Sequence, residues 1–148
     1  MKLILIITLI SSSMAFAASG ALEQCKETVR NQYDVELCVT RAQDKNDTKL
    51  TQTLKLHRDR LNVLLPYFKS GKYPKLLIAI ETSLGDNNHL LTNLNYTLDK
   101  CSLRFPQALT GLDGMLRSMD CRINEKNILI ESLIDNLNQI NAAVEDLR

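Results

Sequence analysis

Apolar residues recur at alternating intervals of three and four along the last third of the chain. This spacing places them on one face of an α-helix, where only Lys126 is polar. The pattern predicts a long C-terminal helix whose apolar stripe packs inside a helical bundle. A coiled-coil dimer face is the alternative interpretation, because a dimer would bury the same stripe. The stripe comprises Leu116, Met119, Ile123, Ile130, Leu133, Leu137, Ile140, Val144 and Leu147.

Two more helices are predicted in the first half of the chain. The first covers about residues 21–31, and the polar residues 31–34 suggest a break after it. The second covers about residues 35–69, and the polar run at 44–47 leaves open whether it is continuous. Gly71 follows as the expected left-handed residue after a helix end.

A third helix is predicted between Pro74 and Cys101, because proline is favoured at a first helical position. Its apolar stripe is broken only by Asn87, within the polar stretch GDNNH, which indicates a kink or a turn. Little in the chain resembles a strand. We therefore expect an all-α fold of about four helices.

The N-terminus has the three-part pattern of a secretory signal peptide. Lys2 precedes an apolar run at residues 3–10, and Ala15-Phe16-Ala17 forms an A-x-A cleavage site. The run is far shorter than the roughly 20 residues that span a bilayer. Residues 1–17 are predicted to be the signal peptide, and residues 18–148 a single helical domain that is periplasmic or secreted. The alternative is an uncleaved N-terminal anchor.

The charge of the mature chain argues against nucleic-acid binding. The sequence has 18 basic and 17 acidic residues, and removal of Lys2 leaves 17 of each. Nucleic-acid binders usually carry a basic excess. A formal charge of zero also argues against electrostatic attachment to a membrane, so we expect no stable membrane anchor in the mature protein.

An even number of cysteines in a small exported domain implies disulfides. The four cysteines allow three pairings, and the sequence does not choose among them. We predict the two pairs that are close in sequence, because each needs only one turn between helices. The fold is then a small disulfide-stapled bundle, and the segment with Pro106, Gly111 and Gly114 is an irregular loop closed at its base. The predicted pairs are Cys25–Cys38 and Cys101–Cys121.

Motifs for catalysis or metal binding do not occur. The chain has no C-x-x-C, no nucleophile elbow and no glycine-rich phosphate loop, and His57 and His89 have no ligand spacing. We expect no cofactor, no metal and no catalytic residues, and a protein-binding role instead of an enzyme.

Two short motifs accompany these helices. At the front, NQYDVELC supplies Gln32, Asp34 and Cys38, and NDTKLT supplies Asp47 and Leu50. In the C-terminal motif, an aromatic residue precedes the first cysteine. A glycine-containing loop with a methionine precedes the second cysteine. This motif consists of Tyr96, Cys101, Gly111, Gly114, Met115 and Cys121.

Together these motifs resemble the LprI-like lysozyme-inhibitor domain of bacterial envelope proteins. The resemblance covers nearly all of the mature chain. The family's rear tryptophan and the arginine after it are absent, and Asn93 and Thr97 stand near those places. The resemblance implies an exported inhibitor of a cell-wall lytic enzyme, a protein partner whose cleft presents paired carboxylates.

Two segments are candidates for contact with such a cleft. The first is FKSGKYPK, whose lysines have an alternative interpretation as helix-end charges favoured by the macrodipole. The second is the stapled loop, where an exposed aromatic residue would suit a partner. The candidate residues are Lys69, Ser70, Lys72, Tyr73 and Lys75 in the first, and Arg104, Phe105 and Leu109 in the second.

Other functions remain open from the sequence. The main alternative is a periplasmic immunity protein that neutralises a type VI secreted cell-wall amidase. Another is a structural or assembly factor that forms a homodimer through its C-terminal helix. Asn46 and Asn95 lie in N-glycosylation triplets, which keeps a eukaryotic secreted origin open.

Overall fold

The computed structural model describes residues 20–147, in which four α-helices and no strand occur. The helices are α1 (Ala21–Thr28), α2 (Gln32–Phe68), α3 (Pro74–Arg104) and α4 (Gln107–Glu145). The predicted all-α bundle is confirmed. The predicted signal peptide and its cleavage site lie outside the described residues.

The break between α1 and α2 lies slightly earlier than predicted, because Asn31 caps α2. Its side-chain oxygen accepts a hydrogen bond from the backbone N–H of Asp34 at 2.8 Å, so α2 begins at Gln32. The polar run at 44–47 lies within α2, which is continuous to Phe68. α1 is also tied to α4, where Asp120 accepts a hydrogen bond from the Leu22 N–H at 2.9 Å.

The apolar stripe of α4 forms the centre of the bundle. α1, α2 and α3 supply the residues that pack against it in three clusters along its length. The stripe is thus covered within the chain, as the bundle interpretation predicts. Its buried members are Leu116, Ile123, Ile130, Leu133, Leu137 and Ile140.

Polar side chains interrupt this core at two levels. Buried Lys126 donates a hydrogen bond to the carboxylate of Asp47 on α2, which neutralises its charge locally. His57 and Asn87 are each 2% exposed, and His57 Nε2 lies 2.9 Å from Asn136 Oδ1. We call His57, Asn87 and Asn136 the polar layer. α3 runs unbroken through Asn87, so the predicted kink or turn there is wrong.

Both predicted disulfides are present, Cys25–Cys38 and Cys101–Cys121, each with a Cα–Cα distance of 5.8 Å. The predicted irregular loop between Cys101 and Cys121 is present only in part, at residues 105, 106 and 111. α3 continues to Arg104 and α4 starts at Gln107, with only residues 105 and 106 between them. Pro106 has no N–H with which to continue α3, so the chain turns there.

The irregularity of this segment is confined to one residue inside α4. Gly111 adopts φ 59° and ψ −140°, which kinks the helix. Only glycine takes such a conformation without strain. The disulfide joins Cys101, near the end of α3, to Cys121 in the part of α4 that follows the kink.

We expect peptide mapping of the unreduced protein to find the same two disulfides. Proteolysis without reduction, followed by mass spectrometry, should release one linked peptide pair that contains Cys25 and Cys38 and another that contains Cys101 and Cys121. A linked pair that joins Cys38 to Cys101 would contradict the helix order described here. A reduced and alkylated sample is the control.

Within residues 20–147, none of the helices combines the length and apolar character needed to cross a membrane.

Candidate partner-binding site

The turn that joins α2 to α3 is set by glycine. The backbone N–H of Lys69 bonds to Leu65 O at 3.2 Å, and that of Gly71 bonds to Phe68 O at 3.3 Å. Gly71 has φ 81°, and a Cβ added there would meet nothing within 4 Å, so the turn is open on this side. The predicted left-handed glycine is confirmed. Lys69, Ser70 and Lys72 are exposed around it.

Tyr73 fixes the end of this turn against the core. Its side chain is half-buried, and its ring packs edge-on against buried Phe68 with centroids 6.1 Å apart. The ammonium group of Lys72 lies 5.2 Å from the centre of the Tyr73 ring, within cation–π range. Tyr73 therefore anchors the turn and holds a cation at its surface.

The helix macrodipole accounts for only one end of the lysine set. Lys69 follows the C-terminus of α2, where a positive charge is favoured. Lys75 lies in the first turn of α3, where the macrodipole favours a negative charge, and that turn contains no acidic residue. Helix-end stabilisation therefore explains Lys69 and leaves Lys75 unexplained.

Beside this turn lies an apolar groove of about 550 Å³ between α3 and α4. It exists because Ala79 and Ala143 are too short to fill the space between the two helices. Lys72 and Lys75 also line it. We call it the α3–α4 groove. Its apolar lining is formed by Tyr73, Pro74, Leu76, Ala79, Ala143 and Leu147.

The contribution of α4 to this site was not predicted from the sequence. Ala143 lies in the last turn of α4 and Leu147 just after its end, and the antiparallel packing of α3 and α4 brings both beside residues 72–79. Leu147 was assigned to the apolar stripe, yet it is 39% exposed. A signal was present in the sequence, because Ala142 and Ala143 are small residues near the end of an otherwise large apolar stripe.

The second candidate segment lies at the opposite end of the bundle. The guanidinium of exposed Arg104 is 5.6 Å from the centre of the half-buried Phe105 ring. α3 has 31 residues and separates this pair from Tyr73 by roughly 45 Å at 1.5 Å per residue. The two candidate segments therefore cannot contact one narrow cleft together. The side chain of Leu109 lies outside the described part of the structure.

One exposed ion pair at the disulfide end lies on α4. Arg117 donates a hydrogen bond to Asp113 at 2.7 Å, and this bond lowers the pKa of the Asp113 carboxyl. The pair is exposed on α4, where ion pairs contribute little to stability. Arg117 is therefore paired within α4, whereas Lys69, Lys72 and Lys75 on the other end take part in no ion pair among the described residues.

Outside this site, the residues that could bind a metal or carry a glycan include His57, Asn46 and Asn95. His57 is buried in the polar layer, and the described residues contain no group of three or more His, Cys, Asp or Glu side chains that could hold a metal. Asn46 is buried and donates a hydrogen bond to Asn127 at 2.6 Å, so its triplet is inaccessible to glycosylation in the folded protein. Asn95 is exposed.

No protein-family model, curated protein sequence or solved structure matches this chain.

Proposed function

We propose that the protein is an exported binding module that inhibits a cell-wall lytic enzyme through the turn between α2 and α3. The observation that carries the proposal is the group of exposed lysines on this turn, at the end of the bundle that has no disulfide. A cation held on a rigid protrusion complements a cleft that presents paired carboxylates. The resemblance to lysozyme-inhibitor domains supports the same class of partner.

The architecture favours binding of this kind. The turn projects from the ends of two long helices that are packed against α4, and Tyr73 packs against Phe68 at its base. A pre-organised segment loses less conformational entropy when it binds a partner. Lys69, Ser70 and Lys72 are then the contact residues, and Tyr73 positions Lys72. Arg104 and Phe105 are a separate surface.

The lysines of the turn provide a direct test. We expect the double variant Lys69→Ala/Lys72→Ala to weaken inhibition of a lysozyme by about tenfold, because two charges that face the cleft are lost. Its remaining affinity should depend less on salt. The thermal midpoint should change little, since exposed charges contribute little to folding. The measurement is residual lytic activity on bacterial cell walls against inhibitor concentration, for lysozymes of each structural class.

A matched control is Lys45→Ala/Lys55→Ala, which removes two exposed lysines from α2 outside the turn. It should inhibit as the wild type does. Equal inhibition by the wild type and the turn variant would move the site to Arg104 and Phe105. If the wild type inhibits no lysozyme of any class, the proposal fails, and a cell-wall amidase from a competing bacterium becomes the partner to test.

A further inference from the structure

The α3–α4 groove is an apolar surface that the bundle leaves uncovered. Large residues close the interior along most of α4, but at its end Ala143 and Ala79 leave a gap. Leu147, the last residue of the stripe, is consequently 39% exposed at the groove. The volume of about 550 Å³ lies within the roughly 300–1,000 Å³ typical of small-molecule sites.

The charges that line the groove are positive. They belong to Lys72 in the turn and Lys75 at the start of α3. Glu145 and Asp146 at the end of α4 are not among its lining residues. Lys75 also lies where the α3 dipole is positive, whereas the end of α4 beside Ala143 is the negative end of its dipole, so the positive edge of the groove is the α3 side. A ligand with one negative group is therefore favoured there.

The apolar lining of the groove and the two lysines at its edge indicate which kind of ligand it would bind. A narrow aliphatic chain suits an open groove between two antiparallel helices, because it gains burial against their side chains without polar groups to satisfy. A carboxylate at one end of such a chain would complement the lysines. A flat or highly polar ligand would leave the apolar lining exposed.

We propose that the α3–α4 groove binds an amphiphilic carboxylate. Its aliphatic chain lies along Leu76, Ala79, Ala143 and Leu147, and its carboxylate lies at Lys72 and Lys75. This binding activity needs no second protein, and it shares Lys72 with the proposed contact with the enzyme.

The experiment titrates the protein with dodecanoate below its micelle concentration, with isothermal titration calorimetry as the readout. We expect saturable binding of one molecule per chain. Ala143→Phe fills the groove and should weaken binding by about tenfold or more. Ala142→Phe is the matched control, because exposed Ala142 is the adjacent residue on α4 and does not line the groove. It should bind as the wild type does.

A second pair of variants tests the two lysines that line the groove. Lys72→Ala/Lys75→Ala should weaken dodecanoate binding by about threefold to tenfold, and Lys69→Ala should leave it unchanged, because Lys69 does not line the groove. Decanol, which lacks the charge, should bind the wild type more weakly than decanoate. Circular dichroism of every variant checks the fold, and the lysine variants keep the test valid if Ala143→Phe unfolds.

The proposal is overturned if dodecanoate does not bind, or if it binds Ala143→Phe and Ala142→Phe equally. If dodecanoate does not bind but Ala143→Phe weakens inhibition of a lysozyme, the groove instead receives an apolar side chain of the partner enzyme. Because the titration contains no enzyme, failure of enzyme inhibition leaves its outcome unaffected.

Discussion

Leu137→Ala should destabilise the protein by about 2–5 kcal/mol, the range for a buried leucine reduced to alanine. Leu137 is 7% exposed and packs in the cluster that joins the ends of α2, α3 and α4. The substitution removes apolar surface from this cluster and leaves a cavity that the surrounding helices cannot fully close. The loss is a large share of the roughly 5–15 kcal/mol that stabilises a typical domain.

Equilibrium urea unfolding, followed by circular dichroism, measures this loss. Leu103→Ala is the matched control, because Leu103 is helical and 78% exposed. The control should change the free energy of unfolding by less than about 0.5 kcal/mol. A similarly small effect for Leu137→Ala would contradict the burial of the α4 stripe.

The stripe itself could be predicted from the sequence because it is long and regular. A spacing of three and four residues over the length of α4 has no other common explanation than a helix with one buried face. The two disulfides between cysteines close in sequence were also predictable, because each pair needs only one turn between helices. For Cys25 and Cys38, that turn is the gap between α1 and α2. The sequence did not show whether the other helices or a second copy of the chain would bury this stripe. The structure shows that α1, α2 and α3 pack against it.

The connection between α3 and α4 was predicted less accurately than the stripe. Pro106, Gly111 and Gly114 individually favour irregular structure, and their combination predicted a loop. In the structure Pro106 occupies the junction and Gly111 the kink. Gly114 is buried within α4, where packing overrides its weak helix propensity. Propensity thus located the irregular residues but overestimated how far the irregularity extends.

Asn87 was misinterpreted for a related reason. It keeps the spacing of the α3 stripe, and this regularity is a stronger signal than its polarity. Its side chain lies at the level of His57 and Asn136, where the core changes from the middle cluster to the last. Burying polar groups costs stability unless they are hydrogen-bonded. Here His57 Nε2 has Asn136 Oδ1 as its partner, whereas His57 Nδ1 and Asn87 Oδ1 have no hydrogen-bond partner in the described structure, so this layer costs stability.

The candidate site was only half predictable. Lys69, Ser70, Lys72 and Tyr73 are neighbours in sequence, so their proximity follows from the turn alone. The α3–α4 groove depends on the antiparallel docking of α4 against α3, which no local pattern specifies. Arg104 is separated from the turn by the length of α3 itself.

Removal of the disulfide between α3 and α4 should cost about 3 kcal/mol. The variant is Cys101→Ala/Cys121→Ala, whose bridge spans 20 residues. In the chain-entropy description, a bridge of this span stabilises by restricting the unfolded chain. Cys101 is also 2% exposed, so the substitution removes a buried side chain as well. The measurement is the free energy of urea unfolding of the double variant against the oxidised wild type.

Cys25→Ala/Cys38→Ala is the natural comparison, because its bridge spans 13 residues. The shorter span should make the entropic loss smaller by about 0.4 kcal/mol. α1 would then be held by the burial of Leu22 and its hydrogen bond to Asp120. A loss much greater than that of the Cys101 and Cys121 variant would mean that α1 detaches and exposes the first cluster. A loss below about 1 kcal/mol for the Cys101 and Cys121 variant would show that packing alone fixes the junction, and would contradict the predicted role of this disulfide.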